Sequence, residues 1–174
     1  MGSLWLSLAF LGAVVASDWH GLLRRGPARS RAHARSRIER VLARPWVLDG
    51  AYSDLRTVAY MDLWKGVVQV FVEASDAVVF DLRGYNDERG GSAWEVGYLF
   101  DTLPVQRIVF VRHASDAAAI EAMLLRTWRT MWNASPNVAL TDPTIQVVEL
   151  RDDDSVGARA LMDRLLFVAT SIGR

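Results

Sequence analysis

The chain has 174 residues, 51% hydrophobic and 23% charged, which is enough apolar material for a core and excludes a wholly disordered chain. It has no cysteine, so disulfides and thiolate metal sites are excluded. Lys and Arg total 20, Asp and Glu total 20, and the resulting zero net charge gives no general electrostatic case for nucleic acid.

The neutral total conceals an uneven distribution. Met1 to Ser17 carries no charge, and Leu4 to Ala16 is almost wholly apolar. A bilayer-spanning helix needs about 20 such residues. The run is marginal by that measure, and residues 1–19 read as a membrane anchor, or the tail end of a longer membrane region, with Trp19 at the interface and the arginines that follow held on the cytoplasmic side. A cleavable signal peptide is the rival, but there is no positive n-region and the arginines lie beyond the apolar run. A buried core element is the third reading.

Residues 20–43 form a basic stretch. Arg24, Arg25, Arg29, Arg31, Arg35, Arg37 and Arg40 fall within it, and Glu39 is the only acid between Arg24 and Arg40. The pattern predicts a juxtamembrane helix from about Ser30 to Ala43 with Ile38, Val41 and Leu42 turned inward. Its arginines face anionic headgroups, nucleic acid or water. The absence of interleaved aromatics argues against nucleic acid.

Residues 44–174 read as one α/β domain. Pro45-Trp46-Val47-Leu48 is a short strand, and Thr57-Val58-Ala59-Tyr60 a weaker one. Asp62 is the expected cap of a helix carrying Trp64, Val67, Val68, Phe71 and Ala74. Ala77-Val78-Val79-Phe80 is a continuous apolar run, as a strand buried on both faces requires. Arg83 to Gly91 is a polar loop, and a helix follows from Ser92 to about Asp101. Arg107 to Val111 is the next buried strand. Ser115 or Asp116 caps a helix reaching about Trp132. Asn133 to Thr144 is a loop, Ile145 to Leu150 a strand, and Val156 to about Ile172 the last helix. The acidic run Asp152-Asp153-Asp154 is a solvated loop before it.

Strands alternating with helices imply crossover connections. The expected architecture is a three-layer α/β/α domain with a mostly parallel sheet, in which the strands near Val78, Val109 and Val147 are parallel neighbours. Ligands of such sheets bind beyond the carboxyl ends of the strands. That rule selects the loops Asp81 to Ser92 and Arg112 to Asp116.

The first of these loops leaves a buried strand and enters a helix, which makes Asp81, Arg83 and Glu95 candidates for one crevice. Ser92-Ala93-Trp94-Glu95 also has the form of a capping box, with Ser92 as N-cap and Glu95 three residues on, a purely structural role. Asp81 and Arg83 in turn have the alternative of pairing with each other. Trp94 and Tyr98 are aromatic and suit either the core or a stacking platform. His113 stands at a strand end, while His20 and His33 are remote, so no metal cluster is expected. Asn133-Ala134-Ser135 has the form of a glycosylation sequon.

Gly91-Ser92-Ala93-Trp94-Glu95-Val96-Gly97-Tyr98 resembles the Gly-Thr-Ala-x-Glu-x-Gly-Tyr turn of the nucleoside 2-deoxyribosyltransferase family. The strand before it, with Asp81 and Gly84 at its end, is similar too. The layout also resembles Toll/interleukin-1 receptor (TIR) domains that hydrolyse NAD. The resemblance covers about 40 residues, from Glu73 to Val111. It implies a flavodoxin-like fold and cleavage or transfer at an N-glycosidic bond, with Glu95 as the catalytic carboxylate. A carboxylate there adds to the anomeric carbon or stabilises its positive charge. Asp81 would assist the leaving group or bind a base or hydroxyl, Tyr85 or Trp94 would stack on a nucleobase, and Arg83 would meet a phosphate. Ser92 belongs to the same substrate-binding turn. No cofactor is implied, since NAD or a nucleoside is the substrate. The partners are a small nucleotide or nucleoside and, through residues 1–19, a membrane, with homo-oligomerisation left open. The competing implication is a non-catalytic TIR-like interaction module attached to the membrane.

Overall fold

A computed structural model describes residues 28–43, 62–87, 90–151 and 155–172. The expected anchor at residues 1–19, the strands at Pro45–Leu48 and Thr57–Tyr60, and the acidic run at 152–154 lie outside the described residues, as do the side chains of Val41 and Leu42. No described helix is long and apolar enough to cross a membrane. The chain divides into two compact units, one ending at Ser75 and the other beginning at Asp76.

In the first unit, α1 (Arg31–Leu42) and α2 (Trp64–Glu73) are both helical, as their spacing predicts. Ala34 and Ile38 lie one helical turn apart and are buried with Ala28, Val67, Val70 and Phe71. The helix α2 is apolar almost all round, and Val67, Val68, Val70, Phe71 and Val72 are all buried. Its N-cap is Leu63, without a side-chain cap bond, so Asp62 stands one residue too early to cap it. The basic face of α1 is not simply solvated. Arg31 and Arg35 both donate to the Glu73 carboxylate, the latter at 2.8 Å, and Arg37 is only 8% exposed. Pairs as exposed as these contribute at most about 1 kcal/mol each. The apolar cluster therefore dominates the packing of this unit.

The second unit has an α/β fold. It runs β1 (Val78–Asp81), α3 (Gly91–Thr102), β2 (Ile108–Arg112), α4 (Ala117–Arg129), β3 (Gln146–Glu149) and α5 (Ser155–Ile172). Short 3₁₀ turns at Val105–Arg107 and Ala114–Asp116 precede β2 and α4. The three strands are parallel in the order β1-β2-β3. Val79 is level with Val109, and Phe110 with Val147. The expected parallel neighbours are thus found, because each pair is joined through a helix and not a hairpin.

Side chains alternate along the strands and sort into two groups. Phe80 meets Phe110 edge-on at 6.3 Å. Phe100 of α3 meets Phe110 at 5.8 Å, and Trp128 of α4 meets Phe100 at 5.1 Å. The odd-numbered Val79, Val109 and Val111 pack instead with Leu165 and Val168 of α5. Full burial of each such side chain stabilises by about 1.5–3 kcal/mol.

The loop after α4 holds a polar anchor that reads from the sequence as plain loop. Asn137 is fully buried. Its Oδ1 accepts from the Val105 amide at 2.8 Å, and its Nδ2 donates to the carbonyls of Phe100 at 2.7 Å and Leu103 at 2.8 Å. Ser135 Oγ donates to the same Phe100 carbonyl at 2.6 Å. These bonds satisfy the end of α3, whose last carbonyls have no intrahelical partners. The serine of the apparent sequon is therefore a buried structural group.

Candidate functional site

The turn between β1 and α3 is set by two glycines. Gly84 has φ +70°, and the Tyr85 amide donates to the Leu82 carbonyl at 3.0 Å to close the turn. Gly90 has φ +53° and is the N-cap of α3. Both occupy the left-handed region, where a side chain is strained. A Cβ placed on either would meet nothing within 4 Å, so backbone conformation and not crowding calls for glycine here.

The helix begins earlier than the sequence suggests, and this removes the capping box. With Gly91 first, Ser92 is the second helical residue and Glu95 the fifth. No side chain caps the helix. The Trp94 amide already donates to the Gly90 carbonyl at 3.2 Å. The left-handed Gly90 makes the sharp entry that Ser92 was expected to provide.

Glu95 is the unusual group. It is 2% exposed, and its Oε1 has no hydrogen-bond partner among the described residues. Burial pushes its carboxyl up from 4.5 to about 7. A carboxyl at the fifth position lies beyond the first turn, where the helix dipole would favour its charge most.

Of the other sequence-predicted residues, Asp81, Arg83, Tyr85 and Trp94 have partners within the fold. Asp81 and Arg83 pair with each other. Arg83 Nε donates to Oδ1 and Oδ2 of Asp81 at 3.0 and 3.1 Å, and Nη2 donates to Oδ2 at 2.7 Å. The Arg83 amide donates to Oδ1 as well, at 3.0 Å. The Tyr85 hydroxyl donates to Asp87 Oδ1 at 2.6 Å, and Arg126 of α4 donates to the same oxygen at 2.6 Å. Burial and then Asp87 push the Tyr85 hydroxyl up, while the Tyr85 and Arg126 bonds hold Asp87 below the usual carboxylate range. Trp94 stacks on Tyr98 one turn along the helix, with centroids 5.6 Å apart and planes at 10°. Ser92 is half-buried.

The second strand-end loop is tied to the first. Asp116 ends a 3₁₀ turn and precedes α4, but its carboxylate does not cap that helix. Its Oδ2 accepts from the Gly84 amide at 3.0 Å, and its Oδ1 from Ser115 Oγ at 3.0 Å. These bonds, the Gly84 amide first, hold its pKa down. Sequence reasoning missed this cross-loop role of Asp116, and also Asp87 and Arg126. The available signal for Asp116 was an acid just beyond a buried strand. Among the described residues no three His, Asp or Glu side chains group to hold a metal.

Compared with protein-family models, with curated proteins and with solved structures, the chain matches none.

Proposed function

We propose that the turn from β1 into α3 is the site of cleavage or transfer at the N-glycosidic bond of a nucleoside or nucleotide, with Glu95 as the key carboxylate. The observation that carries this reading is the buried Glu95, whose Oε1 has no hydrogen-bond partner among the described residues, on the helix that follows a strand-end loop. A buried carboxyl without a partner is costly to folding, and such groups cluster where chemistry needs them. The turn's resemblance to deoxyribosyltransferases and NAD-hydrolysing TIR domains supports the same role.

The parallel order β1-β2-β3 agrees with the last three strands of a flavodoxin-like order, 2-1-3-4-5. On this reading the domain is a three-layer α/β/α fold, and Glu95 lies by its ligand-binding edge. The Glu95 carboxylate adds to the anomeric carbon or stabilises its developing charge. Its low exposure means that productive binding includes a local opening around it. The proposal keeps residues 1–19 as a membrane anchor, with the remainder of the chain in the cytoplasm.

A second reading is favoured by a specific observation. Asp81, Arg83, Tyr85 and Trp94 satisfy one another or their neighbours within the fold. A non-catalytic TIR-like interaction module would keep its polar groups paired in this way. Assaying the purified chain for release of nicotinamide from NAD, and of free base from deoxynucleosides, separates the two. Base release is the expected result. A folded protein that releases none from any of these substrates would leave the interaction module as the better reading.

A further inference from the structure

The central strand β2 ends in a charged group that the proposed chemistry does not use. Arg112 is its last residue, at the carboxyl end where open α/β sheets bind ligands. Its side chain is 18% exposed. One arm is held, since Nη1 donates to Glu121 Oε1 of α4 at 2.6 Å. Its Nε is buried and has no partner among the described residues.

A guanidinium offers Nε and Nη2 together as one edge of a planar fork, matched to the two oxygens of an oxyanion. The same chain shows what that edge does when filled. Arg83 gives its Nε and Nη2 to the Asp81 carboxylate. In Arg112 the corresponding Nε has no partner among the described residues, and Glu121 takes the opposite arm. A buried donor of a charged group left unmade is costly, and an anionic ligand would relieve it. Glu121 is 60% exposed on its helix, so its ion pair with Arg112 is only a weak restraint on the guanidinium. The carboxylate of Asp116, four residues further along the chain, accepts from Gly84 and Ser115.

We infer that Arg112 is the anchor of an oxyanion-binding site at the end of β2, which takes the phosphate or carboxylate group of a small molecule on its Nε–Nη2 edge. The site is independent of the role assigned to Glu95.

Thermal unfolding of the full chain in inorganic phosphate, in acetate and in sodium chloride at matched ionic strength tests this. The unfolding midpoint should rise with phosphate or acetate concentration above the chloride control, and whichever anion raises it more identifies the ligand chemistry. The rise should disappear in Arg112→Gln. Arg112→Lys keeps the charge and the aliphatic stem but lacks the fork, so it should lose most of the rise, and it serves if the glutamine variant does not fold. A midpoint that follows ionic strength alone in the wild type would overturn the inference. So would a rise fully retained in Arg112→Lys.

Discussion

Glu95 couples folding to pH in a direction set by its burial. Its carboxyl titrates near 7 in the folded chain and near 4.5 when exposed. Below about pH 4.5 both states hold the proton and the group imposes no penalty. As pH rises, the unfolded chain releases the proton first, so the native state loses stability until the pH passes about 7. A displacement of this size corresponds to roughly 3 kcal/mol. Urea unfolding at pH 4.5 and pH 8 should show that fall in the wild type, and in Glu95→Gln the part due to this group should be absent. Equal pH dependence in the two proteins would mean that Glu95 titrates normally. In the proposed catalysis the same ionisation would act in the opposite sense. A nucleophile or charge stabiliser must be ionised, so kcat/KM for base release should increase through about pH 7. A decrease through that range would assign Glu95 the role of a general acid instead.

At the scale of elements, the strands and helices were legible because burial on both faces leaves continuous apolar runs and amphipathic helices leave a stripe. Val78–Asp81 and Ile108–Arg112 fall within one residue of their expected positions. The helix starts were less legible. Ser92 and Asp116 have the chemistry of N-caps, but Gly90 enters α3 by a left-handed turn and Asp116 spends its carboxylate on the Gly84 amide. A side chain's choice between its own helix and a loop some thirty residues away is a tertiary fact that local pattern does not contain. Removing the Asp116 carboxylate should speed hydrogen exchange at the Gly84 amide, and an unchanged rate in Asp116→Ala would contradict the tie. Asn137 was illegible for the same reason, since its partners Phe100, Leu103 and Val105 come from another element. Asn137→Ala leaves buried backbone groups of that connection unpaired. It should cost about 2–4 kcal/mol in urea unfolding, from an unmade-bond penalty of about 1–3 kcal/mol per group. A loss below about 1 kcal/mol would show that other groups can replace it.

For the molecule as a whole, the alternation of strand and helix was enough to anticipate the parallel sheet, because a crossover of helix length forbids a hairpin. The candidate site was legible in part. The turn and the position of Glu95 could be read, but its burial could not, since Ser92 three residues before it suggested a surface capping box. Pairing of Asp81 with Arg83 was an open alternative that only geometry could decide. The proposed anchor at residues 1–19 would hold the remainder of the chain in the cytoplasm. Protease added outside intact cells should leave the C-terminal domain uncut, and its digestion would reverse the proposed orientation.

If Glu95 carries N-glycosidic chemistry, Glu95→Gln should abolish it. Glutamine keeps the shape of the side chain and removes its charge, so the helix and the surrounding core should persist. The measurement is the rate of nicotinamide release from NAD and of base release from deoxynucleosides, for wild type and Glu95→Gln, at about pH 8, where Glu95 is ionised, and at a temperature where both proteins are folded. The wild type should be faster by at least about 10²-fold, as for other deletions of a single transition-state-stabilising group. Equal rates in two folded proteins would contradict the assignment of Glu95 as the catalytic carboxylate.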